Sequence, residues 1–257
     1  MRTIENLGAI LDRIKEKLTN SQTLTFPSSS TTEEGNYDCS RCKDKEYVMV
    51  DDKTARVCSC QEQKRIERLF ESSQITPAFR TKTLDNYTTD KTPISKDMLK
   101  CGKSYLEHYK KGAWLVLLGE PGSGKSHISL AMGNELIKQG DPVLYFQHVE
   151  GMKELIDLIA KEKPIKAKID YMKQVSFLIW DDLFKPAGGK TPTAFQVETA
   201  FEILNYRYLN LLPTAINSER TAKELLEIDK AVGSRIIERG KGYTVTVRGI
   251  ENNYRLI

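Results

Sequence analysis

The sequence predicts an α/β fold, with a parallel sheet flanked by helices and a small cysteine-rich module before it. Three observations support this prediction. From Trp114 onward, apolar strand patterns alternate with helical patterns, as they do in parallel sheets. The first of these strands runs directly into the glycine-rich stretch GEPGSGKS, residues 119–126. Upstream, four of the five cysteines fall within residues 39–60.

Length and composition favour a small module followed by one domain of ordinary size. The chain has 257 residues, of which 39% are hydrophobic and 29% charged, so a core is available beneath a well-solvated surface. The longest apolar runs, WLVLLG and FLIW, are too short to cross a bilayer. The N-terminal residues mix acids and bases, unlike a secretory signal, so we expect a soluble cytoplasmic protein with no membrane partner. The net charge of +4 permits contact with nucleic acid without requiring it.

The first 36 residues divide into a helical and a non-helical stretch. Residues 1–20 predict an amphipathic helix, because apolar residues recur at spacings of three and four: Ile4, Leu7, Ile10, Leu11, Ile14 and Leu18. Residues 21–36 are rich in Ser and Thr without a sustained period, which is typical of a flexible linker. The helix either packs on its own domain or docks on a partner protein. The linker favours docking on a partner protein, since it offers the helix no apolar core to pack against.

Residues 37–62 have the pattern of a zinc-binding module. Cys39 and Cys42 have CxxC spacing, and the segment EYVMV-DDKT-ARV predicts a hairpin that brings Cys58 and Cys60 back beside them. Alternate residues of an extended strand point to one side, so CxC can offer both sulfurs to one ion. Four thiolates suit tetrahedral Zn²⁺, whose binding energy of about 10–16 kcal/mol would replace the missing apolar core. Four reduced thiols and an iron–sulfur cluster are the alternatives, and Cys101 is expected to be an ordinary thiol.

The stretch from Gly119 to Ser126 matches the phosphate-binding pattern GxxxxGK[ST] in full. Its backbone N–H groups can surround the β-phosphate, Lys125 can neutralise the β- and γ-phosphates, and the Ser126 hydroxyl can reach Mg²⁺. A buried strand precedes the loop and a helix follows it, whose N-terminus adds to the anion site. We therefore predict bound ATP and Mg²⁺, with nucleotide contacts from Gly119, Glu120, Pro121, Gly122, Ser123, Gly124, Lys125, Ser126 and His127.

Polar residues end two further predicted strands. VSFLIWDD delivers Asp181 beside the phosphate loop as a second Mg²⁺ ligand, and Asp182 can orient or activate a water. PTAINS ends near Asn217, whose amide can hold that water or touch the γ-phosphate. The alternatives are an acidic turn after a buried strand and an Asn that only caps the next helix.

The order of these motifs, followed by GSRIIERG, resembles the AAA+ ATPases, and within them the DnaC/DnaI-type replicative helicase loaders of bacteria and phages. The resemblance covers residues 37–257 and implies an AAA+ P-loop ATPase domain over residues 63–257. The patterns YTVTVRG and NYRLI after Asn217 predict a closing hairpin. They leave room for no full lid and no DNA-reading helix pair, which disfavours an initiator of the DnaA type.

The resemblance also implies roles for single residues. Asp181 would bind Mg²⁺, and Asn217 would be the sensor-1 residue. Arg235 and Arg239 match the box in which an arginine reaches the γ-phosphate held by a neighbouring subunit, and Arg255 matches the sensor-2 arginine. From the residues alone, a solvated helix face with local salt bridges explains Arg235 and Arg239 as well. Asp182 stands where many AAA+ proteins have Glu, which implies weak hydrolysis stimulated by DNA or by assembly.

The resemblance implies an ATP-dependent loader of the replicative DNA helicase onto single-stranded DNA during replication initiation. Its partners would be a hexameric helicase, single-stranded DNA and further copies of the ATPase domain, in a bacterial cell or a phage-infected host. Two alternatives stay open: a helper ATPase of an IS21-type transposon, and a zinc-stabilised adaptor switched by ATP with negligible turnover. For DNA contact, the lysines and Tyr171 within residues 161–173 are one candidate, against a solvated helix face, and the loop 184–192 is another.

Overall fold

The computed structural model describes residues 37–51, 54–90, 92–185 and 191–256. The predicted N-terminal helix (residues 1–20) and linker (residues 21–36) lie outside the described residues. The chain divides into two units, Met1–Lys45 and Glu46–Ile257. In the first unit, the Asp44 carboxylate accepts hydrogen bonds from the backbone N–H groups of Asp38 and Cys39 at 3.1 and 2.9 Å. These bonds hold the residues before and after the CxxC pair in a tight turn.

The second unit begins with a short hairpin and a helix. Strands β1 (Tyr47–Met49) and β2 (Ala55–Val57) pair antiparallel, which confirms the predicted hairpin. Helix α1 (Ser59–Ser72) follows at once, with Cys58 as its N-cap residue and Cys60 in its first turn. The expectation that Cys58 and Cys60 share an extended strand is therefore wrong. The backbone turns into a helix at Ser59, and the Cys58 N–H instead donates to the Glu46 carbonyl at 2.7 Å.

Five parallel strands form the central sheet of the second unit. They are β3 (Trp114–Gly119), β4 (Val143–Gln147), β5 (Phe177–Asp181), β6 (Thr214–Ser218) and β7 (Thr244–Val247). Their order in the sheet is β4-β5-β6-β3-β7, and every neighbouring pair is parallel. The carboxyl ends of β3, β5 and β6 therefore meet at one edge of the sheet, where ligands bind in open α/β sheets.

Helices connect these strands. They are α2 (Pro93–His108), α3 (Lys125–Lys138), α4 (His148–Ala160), α5 (Lys166–Gln174), α6 (Ala194–Leu209), α7 (Ala222–Ile228) and α8 (Lys230–Arg239). Short 3₁₀ turns lie at Pro77–Phe79, Tyr109–Lys111 and Ile250–Asn252. Within residues 191–256, only α7 and α8 separate β6 from β7, so this stretch holds no three-helix lid.

Helices cover both faces of the sheet. Alternate residues of each strand point to opposite faces and pack in two separate cores. On β3, Trp114, Val116 and Leu118 pack with residues of α4 to α8, whereas Leu115 and Leu117 pack with residues of α2 and α3. Strands buried on both faces read as continuous apolar runs, as WLVLL does. This three-layer arrangement confirms the predicted α/β fold class.

Arg207 on α6 is fully buried and is held by hydrogen bonds to neighbouring elements. Its guanidinium donates to the Thr214 hydroxyl at 2.9 Å and to the carbonyls of Met172 and Val175 at 3.1 and 2.8 Å. It thereby ties the start of β6 to the end of α5. A buried arginine without a carboxylate partner is stable only where carbonyls satisfy its donors. These hydrogen bonds help to fix the position of β6, one of the strands that carry site residues.

The C-terminal residues differ from the predicted hairpin. β7 pairs in parallel with β3, with Thr244 opposite Val116 and Val247 opposite Gly119. Tyr254 does not extend a strand; its N–H donates to the Gly122 carbonyl at 3.1 Å. The hairpin prediction is wrong because the alternating pattern identifies a strand but not its partner, and the free edge of β3 lies far upstream in sequence. No helix among the residues described has the length and apolar character needed to span a bilayer.

Candidate active site

The glycine-rich loop lies between β3 and α3, as the sequence predicts. Gly119 has φ +97°, and a Cβ at this position would lie 1.9 Å from the Val247 carbonyl oxygen on β7. Gly124 has φ +90° as the N-cap residue of α3. The positive φ at both positions would strain a residue with a side chain, and a Cβ at Gly124 would lie 2.8 Å from the Tyr87 ring. The loop thus leaves its N–H groups at the N-terminus of α3, where an anion is stabilised.

Lys125 is buried within the loop. Its Nζ donates to the carbonyls of Gly119 and Glu120 at 2.8 and 2.6 Å. Burial lowers the pKa of Lys125, and the nearby carboxylates of Glu219, Asp182 and Asp181 oppose that change. The ammonium is therefore held at the loop, where the phosphates of a nucleotide would meet it.

Ser126, Asp181 and Asn217 form one hydrogen-bonded group. Oδ1 of Asp181 accepts from the Ser126 hydroxyl at 2.8 Å and from Nδ2 of Asn217 at 2.7 Å. Oδ2 of Asp181 accepts from the Tyr145 hydroxyl at 2.7 Å, and Oδ1 of Asn217 accepts from the Ser129 hydroxyl at 2.7 Å. Burial raises the pKa of Asp181, and the hydrogen bond from Asn217 offsets part of that rise. A carboxylate beside a hydroxyl supplies the hard oxygen ligands that Mg²⁺ prefers.

Asp182 follows β5 and points into the same cavity. It has φ +56°, which is uncommon for a residue with a side chain. Its Oδ2 accepts from the Lys185 ammonium at 2.8 Å. Asp182 therefore lies beside Asp181 in the cavity wall and is paired with a lysine.

Lys125, Ser126, Asp181 and Asp182 line one cavity of about 340 Å³. Asn217 is fully buried and does not line the cavity; it is bonded to Asp181, which does. The predicted nucleotide contacts from Pro121 to His127 line it, as do Asp181, Asp182 and Arg255, while Gly119 and Glu120 contribute the carbonyls that hold Lys125. Residues that the sequence analysis did not single out complete the lining: Phe79, Lys82, Leu130, Tyr145, Gln147, Lys185 and Glu219. A cavity of this size, with apolar groups at some positions and charges at others, suits a small polar ligand.

His127 joins the segment before the sheet to the loop. Its Nε2 lies 3.0 Å from the Thr83 carbonyl and 2.9 Å from Oδ1 of Asn86, so this nitrogen carries the proton and donates to both. Burial lowers the pKa of His127, which keeps the ring neutral. Tyr87 from the same segment donates to the Ser123 carbonyl at 3.4 Å and packs edge-on against His127.

A family model described as "IstB-like ATP binding protein" matches residues 30–218, which is well over half of the chain. This chain belongs to the IstB-like ATP-binding family. Its members are AAA+ ATPases related to DnaC and hydrolyse ATP, so the predicted ATPase activity and the predicted resemblance are confirmed. Because the family binds ATP, the cavity just described is the candidate nucleotide site.

Two relatives and one solved structure illustrate the similarity. The chain is 37% identical over 268 residues to the "Phage-like element PBSX protein XkdC" of Bacillus subtilis, covering 99% of this chain and 97% of that protein. It is 23% identical over 177 residues to the "Replicative helicase loader DnaC" of Escherichia coli, covering 68% and 69%. The crystal structure of the DnaC helicase loader matches with a TM-score of 0.55 at 20% identity, over 67% of this chain and 100% of that one. This structural likeness shows the AAA+ fold.

Arg235 and Arg239 are held on α8 by aromatic side chains and do not line the ATP cavity. The Arg235 guanidinium lies between the rings of Phe201 and Tyr208, at 5.3 and 5.4 Å, and its Nε donates to Asn205 at 2.9 Å. The Arg239 guanidinium lies 4.5 Å from the Tyr208 ring and donates to the Tyr208 carbonyl at 2.9 Å. Both side chains are held by contacts with α6.

Arg255 does line the cavity. Its N–H is bonded to Oδ1 of Asn253 at 3.1 Å, and the preceding Tyr254 is bonded to the loop at Gly122. The C-terminal residues therefore bring an arginine to the cavity that the glycine-rich loop lines. This position agrees with the sensor-2 role that the sequence resemblance implies, which stays a prediction.

Cys39, Cys42, Cys58 and Cys60 form the one group of metal-ligand side chains found in the described part of the chain. Their four sulfur atoms all lie within 4.8 Å of one another, and Cys42 and Cys58 are buried. A tetrahedral Zn²⁺ with Zn–S bonds of about 2.3 Å holds its sulfurs about 3.8 Å apart. The thiolate set and its spacing therefore fit zinc. Cys101 lies outside the group, and burial raises its pKa to about 11, as expected of an unreactive thiol.

Three of the five lysines within residues 161–173 are paired with acids. Lys168 forms an ion pair with Glu154, and Lys166 forms one with Asp170. Lys173 pairs with Glu202. Each pair reduces the net positive charge that this face would offer to a phosphate, while Tyr171 remains 41% exposed. Of the second candidate, residues 184–192, positions 186–190 lie outside the described residues.

Proposed function

We propose that this chain is an ATP-dependent loader of a hexameric replicative helicase onto single-stranded DNA. The observation that carries the proposal is one cavity lined by the glycine-rich loop and Asp181, while Arg235 and Arg239 lie away from it. Such a division suits subunits that complete one another's sites. The likeness to the E. coli protein described as "Replicative helicase loader DnaC" supports a helicase as the partner.

ATP would bind with its phosphates at the N-terminus of α3 and against Lys125. Ser126 and Asp181 would hold Mg²⁺, which would neutralise charge on the phosphates. Asn217 would contact the γ-phosphate or the attacking water, and Asp182 would orient that water. Catalysis of phosphoryl transfer consists mainly of positioning and charge stabilisation, and these five side chains can supply both.

Assembly would complete the site in trans. Arg235 and Arg239 would approach the γ-phosphate of a neighbouring copy, with Phe201 and Tyr208 holding their guanidinium groups in place. An arginine supplied by another subunit stabilises the transition state of phosphoryl transfer by about 10³- to 10⁵-fold in well-studied ATP- and GTP-hydrolysing enzymes. Hydrolysis would then require that copies of this chain lie side by side, as they would on a helicase ring.

The cysteine group would hold one zinc ion as a structural centre. All four positions of a tetrahedral ion would be filled by protein sulfur, which is typical of structural and not catalytic zinc. Together with the predicted N-terminal helix, this module would bind the helicase. Single-stranded DNA would be bound by the ATPase domain, with residues 161–173 and 184–192 as the candidate contacts.

The family match also favours a second function, a helper ATPase of an IS21-type transposon, because the matching family model is named for that element. The two functions differ in partner. Co-elution of the purified protein with the hexameric replicative helicase of its own organism would support the loader. Co-elution with a transposase, and none with the helicase, would support the helper.

Steady-state ATP hydrolysis separates both from a third possibility, an adaptor with negligible turnover. Turnover that rises with single-stranded DNA or with the helicase supports the loader. A rate indistinguishable from buffer under all conditions favours the adaptor. Single-strand affinity should depend on ATP, fall steeply with salt and weaken in the double variant Lys166→Glu, Lys168→Glu. The exposed pair Lys96 and Lys100 on α2, which lies outside both candidate segments, is the matched comparison when changed in the same way.

A further inference from the structure

A lysine lies between two carboxylates in the wall of the ATP cavity. Nζ of Lys185 is 2.8 Å from Oδ2 of Asp182 and 3.0 Å from Oε1 of Glu219, and all three side chains line the cavity. Asp182 directly follows β5, and Glu219 directly follows β6. One ammonium thus links the ends of two neighbouring strands at the place where the γ-phosphate and its water would lie.

The backbone around Asp182 is fixed by the end of β6. The Leu183 N–H donates to the Asn217 carbonyl at 2.9 Å, and the Ser218 hydroxyl donates to the Leu183 carbonyl at 2.6 Å. Nε of Arg220 donates to the Phe184 carbonyl at 3.1 Å. These bonds maintain the turn in which Asp182 has φ +56°. Residues keep such a conformation only where their surroundings enforce it.

Backbone contacts alone do not fix the Asp182 carboxylate, which rotates about its own side-chain bonds. The Lys185 ammonium holds one carboxylate oxygen by a charge-assisted hydrogen bond, and Glu219 holds the ammonium from the opposite side. An aspartate is one methylene shorter than the glutamate common in AAA+ proteins. Its carboxylate therefore reaches less far toward a water, and the contact with Lys185 fixes the direction in which it reaches.

We propose that Lys185 is a positioning residue for Asp182, with Glu219 as its anchor, and that this unit sets the rate of ATP hydrolysis without setting ATP affinity. The inference rests on the water-orienting role proposed for Asp182. A lysine that acts through Asp182 affects the transition state only through that carboxylate. A lysine that binds phosphate directly would contribute to affinity as well.

The test compares Lys185→Met, Lys185→Arg and Glu219→Gln in the full-length protein. Lys185→Met should lower kcat by about 10- to 100-fold, because small misplacements of a reacting group cost this much. The KM for ATP and the affinity for a fluorescent ADP analogue should stay within about threefold of the parent protein. Lys185→Arg should recover most of kcat, and Glu219→Gln should show a smaller loss. Lys223→Met, which removes an exposed lysine paired with Glu227 on α7, is the control and should be silent.

The double variant Asp182→Asn, Lys185→Met decides how the lysine acts. Its kcat should equal that of Asp182→Asn alone. Losses that multiply would contradict the proposal, and so would a Lys185→Met variant with unchanged or raised kcat, or with a raised KM at unchanged kcat. If Asp182→Asn itself leaves kcat unchanged, the water-orienting role proposed for Asp182 is wrong, and the role proposed for Lys185 is wrong as well. A loss in Asp182→Asn with none in Lys185→Met contradicts only the role of Lys185.

Discussion

The hydroxyl of Ser126 donates to Oδ1 of Asp181 at 2.8 Å, although one residue lies on a helix and the other on a strand. Ser126 stands in the first turn of α3, and Asp181 is the last residue of β5. The sequence assigns both to the same Mg²⁺. Their contact brings together two motifs that are separated along the chain by one strand, β4, and two helices, α4 and α5.

Lys125 and Asp181 are expected to have separable effects. Lys125→Ala should weaken nucleotide binding by about tenfold or more, because its ammonium meets charge that is already present on the bound nucleotide. Asp181→Asn should lower kcat by a larger factor than it weakens binding, since it mainly disturbs the metal ion. Titration with a fluorescent ADP analogue and steady-state ATP hydrolysis measure the two effects. Parent-like hydrolysis in both variants would mean that this cavity is not the working site.

Arg235 and Arg239 are expected to act on a neighbouring copy. Each Ala variant should bind ATP normally and lose most of the stimulated hydrolysis. Mixing such a variant with Lys125→Ala protein should restore part of the activity, because each chain supplies the group that the other lacks. Arg248→Ala, an exposed arginine after β7, serves as the matched control. Absence of rescue at every mixing ratio would argue that hydrolysis occurs within a single chain.

The four-cysteine group should contain about one zinc ion per chain by metal analysis, as expected for a tetrahedral thiolate site. Cys58→Ser should lose the zinc and destabilise the module while leaving nucleotide affinity nearly unchanged. Cys101→Ser should keep its zinc, because Cys101 is not part of the group. Full zinc content in Cys58→Ser would contradict the assignment, and so would a purified parent protein containing iron and sulfide.

His148 predicts a loss of stability in mild acid. The side chain is buried, its Nδ1 accepts from Nε1 of Trp180 at 3.2 Å, and burial lowers the pKa of His148 to about 4. The unfolded chain takes up this proton near pH 6.5, so the stabilisation is complete above that pH. It is lost as the pH falls from about 6.5 to about 4, to a total of about 3 kcal/mol.

Denaturant unfolding at pH 7.5 and pH 4.5 measures this loss. His148→Asn keeps an acceptor for Trp180 but does not titrate, so it should lose less stability than the parent protein over this interval. Other titratable groups contribute equally to the loss of unfolding free energy in both proteins. Their contribution therefore cancels when the two losses are subtracted. An equal loss in both would show that His148 does not carry the pH dependence.

Motif-based predictions succeeded where one continuous stretch defines the geometry. The loop from Gly119 to Ser126 needs only its own strand and helix, and the hairpin between Tyr47 and Val57 needs only its turn. Asp181 and Asn217 were also predicted, because the carboxyl ends of parallel strands meet at one edge of the sheet. These features follow from local pattern and a general rule of α/β sheets.

Other site residues depend on how strands are aligned with one another. Tyr145 pairs with Ile179 in the sheet, and only this register brings its hydroxyl to Asp181 two residues further along β5. Lys185 and Glu219 meet because β5 and β6 are neighbours, which no spacing in the sequence reveals. The error at the C-terminus has the same origin, since the strand at Thr244 pairs with β3 and not with the residues that follow it.

We propose that ATP binding and hydrolysis by this protein place a hexameric helicase on single-stranded DNA. The most direct measurement is the amount of helicase bound to closed circular single-stranded DNA, which offers no end for threading, separated from free helicase by gel filtration. The parent protein with ATP should increase circle-bound helicase several-fold, and Lys125→Ala should not. Equal amounts with and without the parent protein, at concentrations where it hydrolyses ATP, would contradict the account.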